Sequence, residues 1–211
     1  MATKFLLLIT ACGHLLQAAD YVPLKAEATF RVFRFGVDGT RELVVEEKGT
    51  YVRDQRGNDL RRMKGARERG EMRNLETRKS FTIEYSRGVV LDNGAVPPGV
   101  PMSFREAKPL DSRRIVGEEI VSGIRCIKVR GMDPARHNFS LISREYDLLV
   151  RSEVEHTDNQ GQRFLTIVSL ENIQLYVAPD AKDFHIPPSF QILERKAPET
   201  FCSTCARSAP R

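Results

Sequence analysis

Between Arg144 and His156 apolar and polar side chains alternate, with Tyr146, Leu148, Val150 and Val154 set against Glu145, Asp147, Arg151, Glu153 and Glu155. A period of two predicts a strand with one wet face. From Arg163 to Leu175 the chain is apolar on both sides, Phe164, Thr166, Val168 and Leu170 against Leu165 and Ile167, which predicts a strand covered on both faces. Asp158-Asn-Gln-Gly161 lies between them and supplies hairpin turn chemistry. The same reading places a first hairpin over Ala28–Phe35 and Arg41–Glu47, a second over Gly49–Asp54 and Asp59–Met63, and a third over Ser80–Tyr85 and Gly88–Leu91. Arg61 to Arg78 is open to a charged helix as well, against which Gly65 and Gly70 argue. Asn93 to Pro101, rich in Gly and Pro, interrupts the pattern. It reads as a loop within one sheet, because neither half has enough strands to cover its own face. The expected class is mainly β, an antiparallel sheet with little helix.

The ends differ from this pattern. Met1-Ala-Thr-Lys4, the apolar run Phe5–Ala11 and the small residues before Asp20 read as a secretory signal over 1–19, and the run is too short to span a bilayer. Cleavage after Ala18 or Ala19 gives a periplasmic or secreted protein. Ile9-Thr-Ala-Cys12 resembles a lipobox, and acylation of Cys12 would give a membrane-anchored one. Residues 20–195 then form a single β domain, and 196–211 a flexible tail that carries Cys202 and Cys205. That CxxC pair suggests redox exchange or half a zinc site, but no second ligand pair is present and no helix N-terminus follows to activate a thiol, so a local disulfide is expected in an oxidising compartment.

Length and charge narrow the picture further. At 211 residues, 41% hydrophobic and 29% charged, the chain can bury a full core. The net charge of +5 has one address, because residues 53–79 hold ten Lys or Arg and five Asp or Glu. No aromatic residue lies among these charges to stack a base, so they read as a solvated hairpin and not as a nucleic-acid site.

Gly49-Thr-Tyr-Val-Arg-Asp-Gln-Arg-Gly-Asn-Asp-Leu-Arg-Arg-Met63, the later Gly123-Ile-Arg-Cys126, and the ending Leu170-Glu-Asn-Ile-Gln174 with Pro179-Asp-Ala-Lys-Asp-Phe-His-Ile-Pro187 resemble a family of exported acidobacterial-type proteins. More distantly the chain is similar to the periplasmic lipoprotein carriers of the Lol and lipoprotein-sorting type. The resemblance runs over most of Ala28 to Leu193. It implies a strongly curved antiparallel sheet, a half-barrel whose concave apolar face shelters acyl chains or a covering helix.

Candidate chemistry is sparse. His14, His137, His156 and His185 show no metal-ligand spacing, adjacent Glu118 and Glu119 point to opposite faces of a strand, and no nucleophile elbow or Gly-rich phosphate loop occurs. Cys126 alternates with Ile124 and is expected to be an inert core thiol. The expectation is a non-enzymatic protein without cofactor or metal. Two functions from different classes stand. In one, the concave face binds a lipid, lipoprotein or other apolar ligand through Phe30, Val32, Tyr146, Leu148, Val150, Phe164 and Val168. In the other, an envelope sensor module meets a protein partner through the sheet edge or the basic hairpin. At the closing segment, Asp180 is expected to cap one helical turn that Pro187 and Pro188 stop, with Phe184 as a buried anchor.

Overall fold

The computed structural model describes residues 21–96, 112–131 and 137–194. Twelve strands make one open sheet in the order β12-β6-β5-β4-β3-β2-β1-β11-β10-β9-β8-β7. In chain order they are β1 (Leu24–Phe35), β2 (Arg41–Arg53), β3 (Asp59–Lys64), β4 (Arg69–Asn74), β5 (Lys79–Glu84), β6 (Val89–Ala95), β7 (Ile115–Val121), β8 (Ile124–Arg130), β9 (Asn138–Ser143), β10 (Leu148–Thr157), β11 (Arg163–Leu175) and β12 (Gln191–Glu194). Ten consecutive pairings are antiparallel, and only β12 joins its neighbour β6 in parallel. Each half of the chain is a meander, and the halves meet where β1 lies against β11, Phe30 opposite Val168 and Ala28 opposite Leu170.

Several expectations change in detail. The first two predicted hairpins share one long strand, since β2 runs unbroken through Gly49 to Arg53. Arg61 to Arg78 holds β3 and β4 with no helix. Arg144 to Asp147 is a turn and not the start of a strand, because Asp147 adopts a left-handed φ of 51° that strands do not use. Asp147 is accordingly buried, where alternation had put it on the wet face. The expected signal segment, Cys12, most of the Pro-rich loop and the Cys202–Cys205 tail lie outside the described residues.

The sheet is curved. Arg53 at the end of β2 donates from Nη1 to the Asp147 carbonyl at 2.9 Å and from Nη2 to the Tyr146 carbonyl at 2.8 Å. In a flat sheet β2 and β10 would be roughly 14 Å apart, three strand spacings, too far for one arginine to bridge. Register shifts in β1, at Lys25/Glu27 against β11 and at Val32/Phe33 against β2, and in β10 at Leu149/Arg151, mark bulges that sharpen the twist.

Curvature separates two apolar clusters. On the concave face Leu24, Ala26, Ala28, Tyr51, Met63, Ile124, Cys126, Leu141, Leu148, Val150 and Leu170 pack together. On the convex face of β2 to β6, Val52, Leu60, Ile83 and Val90 form the second cluster. The closing segment covers it with Phe184, Ile186 and Phe190. There Ala181–Phe184 forms the one helical turn expected after Asp180, as a 3-10 turn, and the Asp183 carboxylate, which the sequence reading did not single out, accepts from the Asp180 N–H at 2.8 Å. Phe184 packs on the sheet's convex side and keeps part of its surface in solvent, so it is a half-buried anchor.

Candidate ligand-binding cleft

A cleft of about 450 Å³ opens on the concave face. One wall is apolar and comes from Leu148, Leu149 and Val150 of β10 with Val168 and Leu170 of β11. The facing wall is charged and comes from Tyr51 and Arg53 of β2, Asp59 and Arg61 of β3, and Glu71 and Arg73 of β4. In a flat sheet β4 and β10 would lie about 24 Å apart, so curvature alone makes them opposite sides of one cavity.

The charged wall is internally paired. Asp59 sits opposite Arg73, and Arg61 opposite Glu71, across the β3–β4 hairpin. Arg73 donates from Nε to Asp59 Oδ1 at 3.1 Å and from Nη2 to Oδ2, a bidentate pair, while the Tyr51 hydroxyl donates to Asp59 Oδ2 at 3.2 Å. Burial, reinforced by the Asp59 carboxylate, pushes the Tyr51 hydroxyl well above the usual phenol range, so it stays protonated as a donor. Arg53, 3% exposed, also donates from Nε and Nη2 to the Val22 carbonyl at 3.3 and 3.0 Å. It ties the start of β1 and the β9–β10 turn to the floor.

The seven residues proposed from sequence distribute unevenly. Leu148, Val150 and Val168 line the cleft. Phe30 lines a second cavity of about 260 Å³ that also touches Val168. Val32 and Phe164 share the concave face further along, Val32 opposite Thr166 and Phe164 opposite His156, beyond either cavity. Tyr146 packs at the border of the concave cluster from its turn. Sequence reasoning missed Tyr51, Arg53, Asp59, Arg61, Glu71 and Arg73. A signal existed: Asp59 with Arg73, and Arg61 with Glu71, are equidistant from the tip of one hairpin and opposite in charge.

Among the described residues no group of three His, Cys, Asp or Glu side chains is placed to hold a metal ion. Cys126 is fully buried, and burial together with nearby Glu119 pushes its thiol up to about 11.

Fold and cleft together define a class, an open, curved antiparallel sheet with a half-apolar, half-charged cleft on its inner face. The chain matches no family model and no curated protein. Among solved structures it is similar to the Pseudomonas aeruginosa MucA/MucB complex, with 15% identity and a TM-score of 0.34 over 83% of this chain. The match spans 59% of that chain, and likeness at this level fixes neither a family nor a partner.

Proposed function

We propose that this chain is a non-enzymatic binding module of the cell envelope that holds an apolar or amphipathic ligand in the concave cleft. The observation that carries the reading is the cleft itself, about 450 Å³ and bounded on one side by Leu148, Val150, Val168 and Leu170. A cavity with an apolar wall and a few fixed polar groups is the usual form of a small-molecule site. The envelope location rests on the pattern of residues 1–19. Native mass spectrometry of protein purified without detergent tests the ligand: a retained apolar mass, lost in Val150→Asp variants that still fold, is expected. Bare protein that also fails to take up a fluorescent apolar probe would overturn the reading. Fractionation of cells making the chain with and without residues 1–19 tests the location, with export expected only when they are present.

A protein partner is the second reading, and one observation favours it. Strand β7 ends the sheet, and no described strand pairs with its outer side. Val116 and Ile120 on it are 41% and 77% exposed. Such an edge is suited to strand addition by an extended peptide.

A further inference from the structure

The two concave cavities share three residues, Arg61, Glu71 and Val168, which therefore stand between them. Arg61 and Glu71 face each other on β3 and β4 as an ion pair. Their side chains are 32% and 56% exposed, so parting them costs little. Val168 approaches from β11, on the far side of β2 and β1. The two cavities therefore adjoin at these three side chains. Beyond this junction on one side is the apolar wall of Leu148 and Val150; on the other are Phe30, Met63 and Arg69.

Resting on the ligand-binding reading above, we propose that the occupant is a single-chain amphiphile with an anionic head. Its head lies near Arg69, and its chain passes between Val168 and the Arg61–Glu71 pair, which set the length and branching it accepts. A junction bounded by only three side chains suits one unbranched chain better than two. The sign of the head follows from the lining of the second cavity, Arg61 and Arg69 against Glu71, within a stretch from the end of β2 to the start of β5, residues 53–79, that holds ten bases and five acids. Arg69 is the cation of this wall best able to accept a new partner. Its contact with Glu47, at 3.4 Å, is longer than those of Arg61 and Arg73 to their own acids. Its guanidinium lies over the Phe30 ring at 5.4 Å, at the mouth of the second cavity.

The test is a displacement titration with saturated fatty acids of increasing length, the matching alcohols, and a lysophosphatidic acid, with thermal melting to confirm that each variant folds. Wild type is expected to prefer long acids over long alcohols. Val168→Phe closes the passage and should cost long chains about tenfold or more, the loss of two or more buried methylenes, while sparing short ones. The Arg61→Ala/Glu71→Ala double variant, altered on an exposed pair, should shift preference toward longer or branched chains. Arg69→Gln should erase the preference of acid over alcohol. Tight binding of either the fatty acid or the lysophosphatidic acid supports an anionic head and tells carboxylate from phosphate. Equal losses at all lengths in Val168→Phe, with no shift in the double variant, would overturn the passage but leave the cleft as a site. Failure of wild type to bind any chain would overturn the ligand-binding reading and this inference together.

Discussion

At Gly49 there is no room for a side chain. A Cβ there would run into the Arg62 carbonyl oxygen and fall 2.8 Å from Met63 Cα, both backbone atoms of the neighbouring strand. Here β3 presses against β2 where the sheet bends toward the cleft. Gly49→Ala is expected to cost about 3 kcal/mol, the upper end for forcing extra volume into a packed site, as read by urea denaturation. Asp147 is the opposite case. Both its carboxylate oxygens are buried without a hydrogen-bond partner among the described residues, and its φ is 51°. The adjacent Arg53 guanidinium spends its bonds on carbonyl groups. Because asparagine tolerates the same backbone and carries no charge, Asp147→Asn is expected to be neutral or to stabilise by about 1 kcal/mol. A loss beyond that in the melting curve would mean that the charge itself steadies Arg53. Residues of this kind were not legible in the sequence. Leu148 announces itself by alternation and Val168 by its place in an apolar strand, whereas the burial of Arg53 and Asp147 depends on a turn reaching across three strands, which no local pattern encodes.

The strands themselves were legible because most of them alternate and are separated by Gly, Asn and Asp turns. The β10–β11 and β1–β2 hairpins turn at Asp158–Gly161 and Val37–Thr40, as their residues dictate. Strand β12 was less so. Its Ile192 and Leu193 are 66% and 37% exposed, and it joins β6 in parallel, a pairing that needs a long return of the chain and leaves no turn signature. That return is the segment from Tyr176 to Phe190, and its attachment is tested at Phe184. The ring contacts the convex cluster of Val52, Leu60, Ile83 and Val90 while staying partly in solvent. Phe184→Ala is therefore expected to cost about 2 kcal/mol, below the range for a fully buried phenylalanine, in chemical denaturation. Loss of pairing by β12 would accompany it as faster amide exchange at Leu193.

For the molecule as a whole, alkaline pH is the condition that unsettles the core. The Cys126 thiol is held near 11 against an ordinary 9.0, and the Tyr51 hydroxyl is held above its ordinary 10.0. Both are raised in the folded state, so the stability they lend is fully present below pH 9 and is lost as pH rises through the folded values. In this range the unfolded chain releases protons that the fold retains. Denaturation midpoints are expected to be level for these two groups up to about pH 9 and to fall above it. Cys126→Ser should remove the part of the decline that begins near pH 9. Alkylation of native Cys126 should stay slow up to about pH 9, where the thiol is both protonated and enclosed.

The order of the strands has one more effect. The second half of the chain grips the first from both sides: β11 lies along β1 at the centre, and β12 lies along β6 at the far edge. Between those two grips the closing segment passes over the convex cluster, with Lys25 of β1 bound to Asp183 at 3.2 Å. If the backbone were severed between Ala95 and Ser112, the two fragments would be joined as a bivalent complex. Release would require both attachments to open at once, because either one alone holds the other at high effective concentration. Co-expressed as separate pieces, residues 21–96 and 112–194 should thus reassemble, and removing residues 176–194 should convert a lasting complex into a short-lived one.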